Sequence, residues 1–253
     1  ALSVARFAVA GMADSGTAGY FGGGGSYPSY SAVVDRYAFP AETRSTITAL
    51  SVARGYLAGM ADSGTAGYFG GGLTPANSGV VDRYAFPAET TSTITALSVA
   101  RYAIVGMADS GTAGYFAGGF TNINLAVVDR YAFPAETTST ITSLSVAVRY
   151  MGGMADSGTA GYFGGGYTNT FTAVVDRYAF PAETRSTITS LSAARAYLAG
   201  MADSGTAGYF AGGTTGSVSA VVDRYAFPAE TTSTITALSV ARSGLAGMAD
   251  GGI

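Results

Sequence analysis

Short stretches of alternating apolar and polar residues, broken by glycine and proline, run along the whole chain. No segment sustains the 3.6-residue spacing of an amphipathic helix. The clearest alternation covers residues 33–39. Val33, Asp35, Tyr37 and Phe39 fall on one side and Val34, Arg36 and Ala38 on the other, until Pro40 removes a backbone donor and closes the strand. Ahead of it, TAGYFGGG predicts a strand ended by glycines. Ahead of that, small apolar stretches such as residues 56–62 predict a strand running into the turn signal Asp-Ser-Gly. After the turn FPAET, the β-branched stretch STITALSVA predicts a fourth strand, with a bend or bulge where the apolar phase slips between Ile47 and Leu50.

This four-strand unit repeats. Leu2, Leu50, Leu97, Leu144, Leu191 and Leu238 follow one another at intervals of 48 residues once and 47 thereafter. MADSGTAGYF is identical in copies starting at Met12, Met60, Met107, Met154 and Met201, and VVDRYAFPAET in copies starting at Val33, Val80, Val127, Val174 and Val221. One small sheet cannot bury both its faces, so neighbouring copies must pack, and an antiparallel meander of about 45 residues favours a ring of radial sheets over an open solenoid. The expectation is an all-β fold in a single domain over residues 1–253: a five-bladed β-propeller of four-stranded antiparallel blades. Its repeats span about 7–54, 55–101, 102–148, 149–195 and 196–242.

The first-strand segment occurs six times and every other element five, so residues 1–14 and 237–250 are equivalent. The favoured arrangement has residues 245–250 pair with the strands of residues 15–48 and clasp the ring, because an unpaired edge exposes a row of backbone donors and acceptors. Closure by the N-terminal copy, with residues 243–253 left spare, is the alternative. So is donation of the spare strand to a neighbouring molecule, which implies self-association.

The glycines ending the second strand (Gly70-Gly71-Gly72, Gly118-Gly119), a tyrosine late in the third (Tyr84, Tyr131), a turn with Glu-Thr and an arginine after the fourth (Arg54, Arg101) together resemble the kelch motif. The tryptophan that kelch repeats usually carry is replaced by isoleucine at Ile47, Ile94, Ile141, Ile188 and Ile235, so the chain looks more like the divergent kelch-like repeats of bacterial and phage proteins. Kelch-like repeats are similar to the propeller of galactose oxidase. The copper site of that enzyme needs histidine and a Tyr-Cys crosslink, and this chain has neither residue type, so the resemblance does not extend to oxidase activity.

Composition narrows the chemistry further. The 253 residues are 48% hydrophobic and 11% charged, which suits a packed soluble domain. There is no histidine, cysteine, tryptophan or lysine, which removes disulfides, Cys/His zinc sites, imidazole bases, thiolate nucleophiles and Schiff-base lysines. A net charge of -3 supplies no cationic field, so neither nucleic acid nor a membrane surface is an expected partner. No apolar run is long enough to span a bilayer, the start (ALSVAR) lacks a signal-peptide pattern, and the compartment stays open.

Nearly all of the 13 arginines and 16 acids sit at repeated positions, with only Arg44 and Arg185 outside the pattern. An active site needs different groups converging on one substrate atom, so no enzyme activity and no cofactor are expected. Asp35 and its equivalents are expected to tie a strand to a turn or to the linker arginine of a neighbouring sheet. Asp14, Asp62, Asp109, Asp156 and Asp203 end the innermost strands, but they lack the closely spaced oxygen ligands of calcium loops, and no metal is expected. The pairs Tyr20-Phe21 and Tyr68-Phe69 read as core, because adjacent strand residues face opposite sides of a sheet. The irregular SVAVRYMGG puts Val148 where other copies have arginine, and predicts a lost ion pair or local strain.

The copies differ in two places only, after the glycines of the second strand and after SVAR. In a four-stranded meander both connections lie at the same end of the sheet, so the variable residues share one face of the disc. Tyr27, Tyr30, Asn77, Phe120, Asn122, Asn124, Tyr167, Asn169 and Phe171 offer stacking and amide hydrogen bonds suited to a protein or a glycan. The leading expectation is a non-catalytic binding or scaffold module for protein or surface recognition. A lectin-like propeller and a near-symmetric scaffold without a ligand, natural or engineered, are the rivals.

Overall fold

The computed structural model describes residues 1–26, 28–109, 111–203 and 205–247, and contains strands, turns and loops without a helix. It is a β-propeller of five antiparallel four-stranded blades. Blade 1 comprises Ala10–Asp14, Ala18–Gly22, Val34–Ala38 and Thr43–Ile47, in that order from the axis outward. Blade 2 comprises Ala58–Asp62, Ala66–Gly70, Val81–Ala85 and Thr90–Ile94. The first strands of blades 3, 4 and 5 are Val105–Asp109, Gly152–Asp156 and Ala199–Asp203.

Local chemistry sets the boundaries. The DSGT turn is closed by the Thr17 N–H donating to the Asp14 carbonyl at 2.8 Å, with Gly16 supplying φ 74°. The third strand stops before proline as expected, and the FPAET turn then runs through a cis Phe39-Pro40 bond and a left-handed Glu42. The fourth strand is exposed almost throughout and carries threonine, serine and arginine, which suits an unpaired outer edge.

The seam corrects the expected clasp. Ala10–Asp14 pairs with Ala18–Gly22, Met12 opposite Tyr20, so blade 1 is completed by its own N-terminal strand. A four-residue turn closes that pairing at far lower loop entropy than one spanning the chain. The C-terminal copy lies instead beside blade 5, where the Gly244 N–H donates to the Tyr197 carbonyl at 2.9 Å. A Cβ on Gly247 would stand 2.2 Å from the Gly200 carbonyl oxygen, the approach by which Gly59 meets Gly11 at 2.4 Å. Six first-strand segments therefore line the axis, five of them within blades. Residues 248–250 of the expected clasp fall outside the described residues.

The core sits between blades. Met12, Tyr20 and Val34 of blade 1 pack with Leu57, Phe69 and Tyr84 from the next repeat, and burying a side chain of this size stabilises by about 1.5–3 kcal/mol. Polar locks accompany this packing. Arg54 bonds Asp82 of blade 2 at 2.8 Å, Arg101 bonds Asp129 of blade 3 and Arg195 bonds Asp223 of blade 5 at the same distance, as the charge pattern predicted. Residues at the N-terminus do the same for blade 1, with Arg6 at 2.8 Å from Asp35 and the Ser3 N–H on the same carboxylate. Burial opposes ionisation of Asp35, but the Ser3 hydrogen bonds and the Arg6 guanidinium outweigh it and hold the carboxyl below its ordinary value.

A second lock crosses the outer part of each join. Phe133 of blade 3 stacks on Tyr68 of blade 2 at 5.3 Å, and Glu136 accepts from the Tyr68 hydroxyl at 2.8 Å and from Arg83. The same set joins Tyr20 and Arg36 to Glu89, Tyr115 and Arg130 to Glu183, and Tyr162 and Arg177 to Glu230.

Candidate functional site

The two variable connections meet in space. In blades 2 to 5 the loop between second and third strands folds into a small hairpin that also bridges to the residue after the linker arginine, or after Val148 in blade 4. Leu73 bridges Asn77 and Gly55, Phe120 bridges Asn124 and Tyr102, and Tyr167 bridges Phe171 and Arg149. The two most divergent stretches of the repeat thus share one connected rim.

Inside that rim the backbone forms a chain of hydrogen bonds around the axis. The second residue after each linker arginine, or after Val148 in the copy where valine takes that position, has positive φ: Ala8 54°, Tyr56 56°, Ala103 56°, Tyr150 58°, Tyr197 58° and Gly244 69°. Each N–H donates to the carbonyl of its counterpart one repeat earlier, Tyr56 to Ala8 at 3.1 Å, Ala103 to Tyr56 at 2.9 Å, Tyr150 to Ala103 at 3.0 Å and Tyr197 to Tyr150 at 2.8 Å. A left-handed backbone at non-glycine residues is uncommon and holds only where the surroundings enforce it. Here it turns the tyrosines toward the axis. Tyr150 stacks on Tyr197 at 4.0 Å and meets Tyr56 at 6.0 Å. Burial among these rings, reinforced by the hydrogen bond with Tyr197, pushes the Tyr150 hydroxyl well above the usual phenol range.

These side chains line an axial cavity of about 360 Å³, whose walls include Tyr56, Leu57, Ile104, Tyr150, Tyr197 and Leu245. No charged residue is among its lining residues. A narrower space of about 120 Å³ continues along the axis, walled by glycine-rich backbone. The axial aspartates follow the other ends of the first strands, where burial raises Asp62, Asp109 and Asp156 above the usual carboxylate range. Among the described residues no group of three carboxylates stands close enough together to hold a metal ion.

The candidates read from sequence divide into two sets. Phe120, Tyr167 and Phe171 come together around Arg149, whose guanidinium carbon lies 4.1 Å from the Phe120 ring centroid and 5.1 Å from that of Tyr167, while Phe171 meets Tyr167 edge to face at 5.5 Å. Asn77 reaches the neighbouring loop through its Nδ2 on the Thr121 carbonyl at 3.4 Å, and the Asn124 Oδ1 is buried without a partner. Tyr30 packs beside Gly55, while Asn122 and Asn169 are exposed and converge on nothing. Tyr27 falls outside the described residues. None of the described candidates lines the axial cavity. Its tyrosines belong to the second variable stretch, after SVAR, and the recurrence of tyrosine at positions 56, 150 and 197 was the available signal.

Arg149 was singled out for what its displacement removes, and the ion pair is indeed lost. Asp176 takes the Ser145 N–H at 2.8 Å, the Ser145 hydroxyl at 2.9 Å and Arg185 at 3.4 Å instead. Its place in an aromatic cage on the rim was not anticipated.

No protein-family model matches the chain, and no curated protein sequence does. Among solved structures, one titled "Structure of YjhT" superposes with a TM-score of 0.79 over 97% of this chain and 88% of that one, at 12% identity. Identity that low carries the fold alone, and on that footing the chain is a β-propeller with five complete blades.

Proposed function

We propose that the protein is a non-catalytic binding module of kelch-like repeat type whose loop-bearing face recognises another protein. An apolar or aromatic side chain of the partner enters the axial cavity. The observation that carries this reading is the meeting of both variable connections on one rim around a cavity of about 360 Å³ with no charged residue in its lining. A bare ion entering such a space loses hydration without compensation, whereas an apolar group gains from burial. Arg149 among Phe120 and Tyr167 adds a cation at the rim for a polar flank of the partner.

A lectin-like reading rests on the tyrosines themselves, since a ring face with a hydroxyl at its edge also suits a sugar. The test is a peptide-display selection run beside a glycan array, on the wild type and on a Tyr150→Ala, Tyr197→Ala variant. The protein reading expects aromatic-containing peptides to be enriched, with truncation of the pair weakening them by roughly thirtyfold in Kd. Sugar binding alone, lost in the variant, replaces it with the lectin reading. Equal binding by both proteins removes the cavity from either account.

A further inference from the structure

We infer that Arg149 is a carboxylate-binding residue, and that its ligand is the C-terminus of a polypeptide ending in an aromatic or bulky aliphatic residue. The last side chain of that polypeptide enters the axial cavity and its terminal carboxylate meets the guanidinium. This deepens the proposed protein recognition by the loop-bearing face and rests on it.

Arg149 stands apart from the linker cations. At its position the other copies carry Phe7, Gly55, Tyr102, Ala196 and Ser243, so one sector of the rim alone gains a charge there. Arg54, Arg101 and Arg195 each hold an aspartate. The Arg149 guanidinium has neither a carboxylate nor a hydrogen-bond acceptor among the described residues, and its Nε is buried. Its main chain is fixed by two bonds: the Arg149 N–H donates to the Tyr167 carbonyl at 3.2 Å, and the Tyr167 N–H donates back at 2.8 Å.

The chemistry of the cage points to a carboxylate. Rings stacked on a guanidinium, as Phe120 is here at 4.1 Å, leave the N–H groups in its plane as a fork that matches two carboxylate oxygens. A single cation also balances a single negative charge, whereas a phosphate group carries up to about two. The cation stands beside the apolar space. Tyr150 lines the cavity, and its ring centroid is 5.6 Å from the guanidinium carbon. A second path of rings joins the two, with Phe120 meeting Tyr102 at 5.7 Å and Tyr102 meeting Tyr56 of the cavity wall at 6.0 Å. An extended chain covers about 3.3–3.6 Å per residue, so the cation and the cavity wall are one to two residues apart.

That spacing favours a chain terminus over an acidic side chain. Adjacent side chains of an extended peptide point to opposite faces, so an aspartate or glutamate beside the buried aromatic is directed away from the rim. The next acid on the same side lies two residues on, at about 7 Å. A terminal carboxylate belongs to the very residue whose side chain is buried, so cavity and cation are reached together. Ending the peptide there also brings no further backbone donors and acceptors against the apolar lining, where they would need partners.

The test uses the whole chain and two pools of octapeptides, random except for phenylalanine at the last position, one pool with a free C-terminal carboxyl and the other amidated. Peptides retained by the immobilised chain are identified by mass spectrometry, and the most enriched is remade singly in both forms for calorimetry. The free acid is expected to bind at least about tenfold more tightly than its amide. An Arg149→Gln chain is expected to bind both forms alike, at the level of the amide, and Arg149→Lys, which keeps the charge without the fork, to fall between. Equal binding of acid and amide by the wild type overturns the inference. So does an amidated peptide with aspartate after the phenylalanine that matches the free acid, because a side chain then serves as well as a terminus. Retention of neither pool overturns it too. Binders with internal aromatic residues from the display selection would then leave the protein reading standing, and their absence would remove both.

Discussion

Arg101 donates to Asp129 at 2.8 Å across the join between blades 2 and 3, with the two side chains 0% and 3% exposed. Three backbone carbonyls, of Val99, Phe116 and Gly118, take further donors of the guanidinium, so each of its nitrogens has a partner. Removing one member leaves an uncompensated buried charge. Arg101→Met is therefore expected to cost about 3–5 kcal/mol in urea unfolding, and the Arg101→Met, Asp129→Leu pair to recover most of that. An equal loss in the double variant would assign the effect to packing.

The irregular linker supplies the converse test. Val148→Arg with Arg149→Tyr restores the residue order of the other copies and gives Asp176 the partner that Asp129 already has. A gain of about 1–2 kcal/mol is expected. The aromatic cage at Phe120 and Tyr167 loses its cation in the same variant, so binding at the rim is expected to weaken while stability rises, a split visible by running thermal unfolding and a binding assay side by side.

The outer lock contains its own control. Glu136 accepts from Tyr68 at 2.8 Å and from Arg83, whereas Glu42 accepts from no tyrosine or arginine among the described residues. Glu136→Gln is expected to cost about 1–3 kcal/mol and Glu42→Gln close to nothing. Equal costs would show that the glutamate serves its own turn instead of the join.

The axial aspartates give a pH dependence of defined sign. Burial raises Asp62 above its unfolded value, so its ionised form is disfavoured in the fold, and the penalty is present above the folded pKa and absent below the unfolded one. Asp62→Asn is expected to raise Tm by a few degrees at neutral pH, with the gain shrinking as pH falls toward about 3.9. Asp35, held low, behaves oppositely: its contribution is present above the unfolded pKa and lost as pH falls through the folded one. Differential scanning calorimetry between pH 3 and 7 on the two Asp→Asn variants separates these signs.

Much of this architecture was legible in the sequence because repetition converts a weak local signal into a strong one. The alternation at 33–39, the Asp-Ser-Gly turn and the proline stop recur often enough to fix the strands. Charge confined to repeated positions pointed to Asp82 and Arg54 as partners across a join. The seam was not legible, because residues 1–14 and 237–250 carry equivalent patterns, and pattern alone cannot separate them. Local hairpin geometry can, and it chose Ala10–Asp14. The cavity was missed for another reason. Its tyrosines are placed by backbone at positive φ, and Tyr56, Tyr150 and Tyr197 are not residue types that announce such a conformation.

The chain of hydrogen bonds that links Ala8, Tyr56, Ala103, Tyr150, Tyr197 and Gly244 is built from main-chain groups alone. Its geometry is therefore indifferent to which side chain each member bears, provided that residue tolerates the left-handed region. Substitution at those positions can reshape the entrance one sector at a time while the frame beneath stays fixed, so the lining of the cavity can vary without eroding the fold.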